Sequence, residues 1–276
     1  MNQQQEKLLK ILSWFHEYCG RYDLRYYVLG GTMLGAVRHN GFIPWDDDID
    51  VGMPRSDYER LRELSKSIKN QGNYLIEFPG EDNPEYSYFA AKVYDTSTTL
   101  IEKQRKPIKR GIYLDVFPLD GIGNTLEESQ KNYRKIDKLH ILLTMKKCAH
   151  RRGRKWWKNV AVFVGAALPI NVAQKTIMLD KMCAKRNYDD CQYVGNLLST
   201  YGAKEIIKKS IFGNPTTYRF ENLKVYGPEK YDEYLTHLYN NWRQLPPKEK
   251  QVSAHDYVYM NLNTPYVESS ENEGTM

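Results

Sequence analysis

Apolar positions in the first part of the chain recur first at helical and then at strand spacing. Leu8, Ile11, Leu12, Phe15 and Cys19 share one face at intervals of three and four, which predicts an amphipathic helix over 6–19 that stops at Gly20. Tyr26 to Leu29 is a short β run broken by Gly30-Gly31, and Thr32 to Arg38 reads as a short helix. His39 to Asp47, with Gly41 and Pro44, is a loop. Asp48-Ile49-Asp50-Val51 alternates polar and apolar, as a half-buried strand does. Ser56-Asp57-Tyr58-Glu59 is a capping box that opens a helix with Tyr58, Leu61, Leu64 and Ile68 on one face. Four β-rich runs follow, at 74–79, 88–95, 98–103 and 112–117. From 126 onward the pattern turns mostly helical, over 126–150, 156–185 and 228–242.

This order predicts an α+β chain. A mixed β-sheet core with flanking helices is expected over 1–125. A mostly helical extension packs on it over 126–266, and the short polar tail 267–276 is expected to be disordered.

Composition narrows the class. With 41% hydrophobic and 13% aromatic residues in 276, the chain can bury a full core. No two of its four cysteines, at 19, 148, 183 and 191, are spaced as CxxC, so free thiols in a reducing compartment fit better than a zinc site. The polar N-terminus has no apolar leader core, and the run Val160 to Ile170 is about half of what spans a bilayer. A cytoplasmic location is therefore expected.

The net charge of +6 is concentrated in one stretch. From Lys138 to Leu179 there are nine basic residues and no acidic one, and seven of the nine lie between Lys146 and Lys158, beside Trp156-Trp157 and an apolar run. That combination suits an interfacial helix on the inner face of an anionic membrane through 146–168; a buried helix hairpin with a solvated basic turn is the plainer alternative. No nucleic-acid motif accompanies the patch, so no nucleic-acid partner is expected.

The chemistry concentrates between Gly30 and Gly52. Asp46, Asp47, Asp48 and Asp50 repel one another unless cations neutralise them. On a strand, Asp48 and Asp50 point to one face about 7 Å apart, a spacing that suits divalent ions gripping a phosphate chain. Asp115 lies in the otherwise apolar run Gly111 to Gly121, where a lone carboxylate is costly, so it is the expected third metal ligand; Asp120 reads as a turn residue. An EF-hand is excluded, because its sixth and twelfth positions, counted from Asp46, are Val51 and Asp57. Gly30, Gly31 and Thr32 precede a helix N-terminus and offer donors for phosphate. Arg38, His39 and Lys92 are further candidate contacts.

The block Gly30 to Gly52, with its Pro44-Trp45-Asp46-Asp47-Asp48-Ile49-Asp50-Val51-Gly52 core, closely resembles the signature of the LicD family, to which the animal fukutin-related proteins also belong. Gly111 to Gly121 resembles that family's second motif. Leu245 to Lys250 followed by His255 resembles its C-terminal motif, with Ala254-His255 where two adjacent histidines are frequent. The likeness runs from about 20 to 260.

The resemblance implies a nucleotidyltransferase-like fold. It also implies transfer of a phosphocholine or phospho-alditol group from a CDP-activated alcohol to a hydroxyl of a glycan, with release of CMP. The acceptors implied are teichoic acid, lipopolysaccharide or capsule, typically lipid-linked. It implies Asp48, Asp50 and Asp115 as ligands of Mg²⁺ or Mn²⁺, Asp46 and Asp47 beside them, and His255 on the substrate side. Asp46, Asp47, His39 and His255 all stay open as the proton acceptor. Two other functions share the same residues: a nucleotidyltransferase acting on a small molecule, and a non-catalytic glycan-binding scaffold.

Overall fold

The computed structural model describes residues 1–66, 73–80, 86, 88–105, 107–148, 155–253, 255 and 257–266. Helix α1 (Gln3–Arg21) starts at a capping box in which Asn2 and Gln5 bond each other reciprocally. It buries the predicted face, Leu8 to Cys19. Each such side chain adds about 1.5–3 kcal/mol on leaving water.

Strand β1 (Tyr27–Val28) leads into α2 (Gly30–His39), which ends at Asn40 in the left-handed region. Strand β2 (Asp50–Pro54) then feeds α3 (Arg55–Lys66). This helix begins one residue before the predicted cap, directly after Pro54. Ile68 of its predicted face lies outside the described residues.

Strands β3 (Tyr74–Glu77), β4 (Ala91–Glu102) and β5 (Lys109–Gly123) follow. The runs predicted at 88–95 and 98–103 are one strand interrupted by a bulge. Within the bulge Ser97 donates to Asp95, and the Thr98 hydroxyl bonds the Asp95 carbonyl and the Ile112 amide. Gly111 is required there, since a Cβ would sit 2.0 Å from the Asp95 carbonyl oxygen.

The later half holds α4 (Leu126–Lys147), α5 (Trp156–Ala167), α6 (Val172–Cys183), α7 (Lys209–Phe212) and α8 (Tyr231–Tyr239). The apolar stretch 156–185 is two helices bent by 110° across the break 168–171. The predicted tail 267–276 lies outside the described residues.

The boundary expected after 125 marks where helices take over, yet strands from beyond it return to the sheet. Strand β6 (Tyr193–Gly195) pairs with β5 and with β7 (Ile207–Lys208); β8 (Thr216–Phe220) and β9 (Leu223–Gly227) form a separate hairpin. Strand β10 (Tyr257–Asn261) closes the far edge against β4. The sheet order is β1-β2-β5-β4-β10, with β3 beside β4. The fold is thus α+β, with a mixed sheet carrying helices. Pairing is antiparallel except between β2 and β5, which run parallel with Asp50 opposite Asp115. That pair positions the chemistry.

Asp120, read from the sequence as a turn residue, is instead 1% exposed inside β5. It accepts a bidentate bond from Arg55, at 2.7 and 2.8 Å. Arg55 also reaches Asp180 of α6 at 2.9 Å and Glu59 at 3.1 Å, so one guanidinium ties α3 and α6 to the sheet. The four cysteines are free thiols.

Arg55→Met strands Asp120 without a partner and is expected to destabilise the chain by about 3–5 kcal/mol in urea unfolding; a loss under ~1 kcal/mol refutes the clamp. Glu205, in the 3₁₀ turn Gly202–Glu205, is 4% exposed, and burial raises its pKa to about 7 against one hydrogen bond from Ser199. A carboxyl held above its unfolded value favours the fold at acid pH and loses that favour as pH climbs through about 7. Glu205→Gln should therefore raise the Tm relative to the parent at pH 8 and not at pH 5, by differential scanning calorimetry.

Candidate active site

Local backbone geometry stitches β1, α2 and β2 together around Asp50. The Leu29 amide donates to the Asp50 carbonyl at 2.9 Å, and the Asp50 amide donates to the Thr32 hydroxyl at 2.9 Å. Gly30 takes φ +49°, open to glycine at no steric cost, and its amide donates to the Tyr234 hydroxyl at 3.0 Å. The Gly30 amide, predicted as a phosphate donor, is thus engaged by Tyr234, while Thr32 accepts from the strand that carries Asp50 and keeps its own O–H to donate. Gly31 makes room for an acid: a Cβ there would lie 2.8 Å from Asp46 Oδ2.

The carboxylates converge, though not quite as strand alternation suggested. Regular strand begins at Asp50, and 46–49 is irregular chain leading into it. The alternation still holds in burial, with Ile49 and Val51 fully buried between partly exposed Asp48 and Asp50. Among the described residues, the acids whose ligand atoms lie within 4.8 Å of one another are Asp46, Asp47 and Asp48. Asp50 and Asp115 form the adjoining pair across β2 and β5.

Asp115 is not the lone acid that the sequence suggested. The Lys92 ammonium bonds it at 2.5 Å. Lys92 is 4% exposed, and its ammonium also lies over the Tyr113 and Tyr88 rings, at 3.3 and 4.3 Å from their centroids. Its first commitment is to Asp115.

The loop 46–48 is gripped from both chain termini. Gln5 donates to the Asp46 carbonyl at 2.9 Å and Gln4 to the Asp47 carbonyl at 3.0 Å. From the C-terminal side, Ser253 donates to Asp47 Oδ2 at 2.6 Å and His255 Nδ1 meets Asp47 Oδ1 at 2.8 Å. His255 Nε2 lies 3.6 Å from Asp48, and its ring stacks on Tyr257. Arg38 and His39 bond each other at 3.0 Å; Arg38 also donates to the Trp242 carbonyl, and His39 stands edge-on to Trp45. Among the described residues neither is bonded to an aspartate.

Crowding sets the electrostatics. Burial first, and then the charges of Asp48, Asp115 and Asp46, push Asp50 well above the usual carboxylate range. Burial and the charges of Asp48 and Asp47 raise Asp46 to about 8. Burial raises Asp48 and Asp115 too, against the pull of His255 and of Lys92 respectively. Asp47 moves down, because the bonds from His255 and Ser253 outweigh its burial. The same bond to Asp47, opposed by burial and aided by Asp48, raises His255 to about 9. Asp48 and Asp115 still keep 25% and 15% of their side-chain surface, so the acids line a pit that solvent reaches.

Five carboxylates face one ammonium and one imidazolium. This all-oxygen, acid-rich donor set fits a hard divalent cation such as Mg²⁺ or Mn²⁺, with Asp48 and Asp50 positioned to hold it and Asp46, Asp47 and Asp115 beside them. A cavity of about 470 Å³ between α3, β3 and α6 is lined by Glu59, Arg62 and Asp180 and lies away from this cluster.

Sequence reasoning missed Gln4, Gln5, Tyr234, Ser253 and Tyr257, and also Tyr239, whose hydroxyl would lie 3.5 Å from a Cβ at Gly30. Only Tyr257 carried a signal, two residues after His255.

Residues 23–140 match a family described as LicD/FKTN/FKRP, nucleotidyltransferase domain. Over 264 residues the chain is 31% identical to the lipopolysaccharide cholinephosphotransferase LicD of Haemophilus influenzae, covering 92% of this chain and 96% of that protein. It is 44% identical over 41 residues to the human ribitol 5-phosphate transferase FKRP, covering 15% of this chain and 8% of that protein. An uncharacterised protein of Rickettsia typhi is 28% identical over 152 residues, covering 49% of this chain and 48% of that protein.

The contact between Gly31 and Asp46 generates a test. In Gly31→Ala the new methyl meets only the end of a flexible side chain, so Asp46 swings aside at small cost to the fold. Unfolding should stay within about 1 kcal/mol of the parent, while Mn²⁺ affinity in titration calorimetry falls about tenfold or more. Unchanged affinity removes Asp46 from the cation site.

Proposed function

The chain belongs to the LicD family, and from that premise we propose that it transfers a phospho-alcohol group from a CDP-activated alcohol to a hydroxyl of a lipid-linked cell-surface glycan, releasing CMP. The observation that carries this reading is the clustering of Asp46, Asp47 and Asp48 beside the Asp50–Asp115 register pair. That cluster lies in a chain aligned almost end to end with a lipopolysaccharide cholinephosphotransferase. The partial likeness to a ribitol 5-phosphate transferase supports the same chemistry with a different alcohol.

In this reading the acceptor oxygen bonds to the phosphorus that bears the alcohol. The bond from that phosphorus to the CMP oxygen breaks, and CMP leaves with the electron pair. Asp48 and Asp50, with Asp115 beside them, would hold a divalent cation, which would supply charge neutralisation for the donor's diphosphate and the leaving phosphate. Of the open candidates for the acceptor's proton, Asp47 and His255 hold each other and His39 is turned to Arg38 and Trp45. Asp46, pressed against Gly31, is the acid we assign to that role. Lys92 holds Asp115 in place and opposes the rise that burial gives its pKa.

The test is a panel of CDP-choline, CDP-ribitol and CDP-glycerol with extracted glycolipid acceptors, scored for CMP release with Mg²⁺ and with chelator. Chelator-sensitive, acceptor-dependent CMP release is expected. Asp48→Asn and Asp50→Asn should each lower it by at least about a hundredfold with folding retained. Pyrophosphate release from CTP in place of CMP release would instead identify a nucleotidyltransferase acting on a small molecule.

A further inference from the structure

Helix α5 is apolar on the side that faces away from the protein. Trp156 and Phe163 are each 77% exposed, and Trp157, Val160 and Val164 are 50–51% exposed. At 100° per residue these five fall within one sector of about 120°. The opposite side of the helix packs on α4. Val162 is 7% exposed there, and Gly165 lies so close that a Cβ would be 2.8 Å from Met145 Cβ. Lys146 closes the helix end by donating to the Ala166 and Leu168 carbonyls, both at 2.6 Å. The outward stripe is therefore a fixed surface.

Charge says what covers it. Lys155 and Lys158 at the N-terminal end of α5 are exposed, as is Lys175 on α6. The sequence just before α5 adds Arg151, Arg152 and Arg154, and no acid occurs from 138 to 179. A second copy docking face to face would set these like charges against each other. An anionic headgroup layer complements them, with tryptophans at its boundary and Phe163 below it.

Geometry fixes the mode. Twelve residues make about 18 Å of helix, well short of the ~30 Å hydrocarbon core. Helix α6, bent by 110° from α5, cannot extend the span, because Leu179 and Cys183 are buried and Asp180 is bonded to Arg55.

We propose that α5 is an in-plane membrane anchor, which seats the Trp156–Phe163 stripe in an anionic bilayer surface while its basic N-terminal end contacts the headgroups. This proposal is independent of the reaction assigned above.

The full chain should be floated with vesicles of phosphatidylcholine alone and with vesicles about one-third phosphatidylglycerol, at ~0.15 M salt. It is expected to rise with the anionic vesicles only. Trp156→Ser with Phe163→Ser, both at highly exposed positions, should keep the parent's Tm and circular dichroism and lower the partition coefficient by at least about tenfold. Lys155→Glu with Lys158→Glu should abolish the preference for anionic lipid. A parent chain that stays with the unbound fraction overturns the proposal. So does equal flotation of the serine variant, or a concentration-dependent dimer in ultracentrifugation that the serine variant loses, which would make a second copy the occupant.

Discussion

Parallel pairing of β2 with β5 sets Asp50 against Asp115, and the rest of the site answers to that juxtaposition. The pairing is made by backbone hydrogen bonds and by Ile49, Val51, Leu114 and Val116, all fully buried on the other face. Apolar burial thus forces acids together that electrostatics would separate. Lys92 answers the charge of Asp115 and His255 that of Asp47. The negative charge left over is the feature that fits the cluster for the divalent cation proposed above.

The chain closes on that pit from its first helix and from the segment around 253–257. Glutamines of the first helical turn hold the carbonyls of Asp46 and Asp47, and the segment from Ser253 to Tyr257 holds the Asp47 side chain before β10 joins the sheet edge. Backbone carbonyls gripped in this way fix an irregular loop that has no ladder of its own. A second polar anchor, Arg55 on Asp120, fastens α3 and α6 to the same strand that bears Asp115. The acid set against Asp50 and the acid that braces thus share β5, five residues apart.

Helix α5 stands outside this arrangement. Its inner side is specified by close contact with α4, while its outer side carries apolar surface that no part of the described chain covers. With the proposed anchor in place, a lipid-linked acceptor would meet the site in two dimensions and not three.

By itself, the sequence determined what is local. Periodicity located α1, the short helix after Gly30-Gly31, the acidic approach to β2 and the long helix from 126, because burial on one face imprints its period on the chain. The Gly30 to Gly52 block also carried the family resemblance, since a site of this kind needs those residue types at that spacing. Tertiary structure alone decided who meets whom. Asp115 is paired with Lys92, 23 residues away; Asp120 with Arg55, 65 away; and Asp47 with His255, 208 away. A polar residue in an apolar run signals that some partner exists, but a partner's identity is set by strand register and helix docking, which local pattern does not encode. Asp120, five positions after Asp115 in one motif, therefore looked like a turn in the sequence, and the fold buries it against Arg55, while Asp115 gains Lys92 as a neighbour that no local pattern announced.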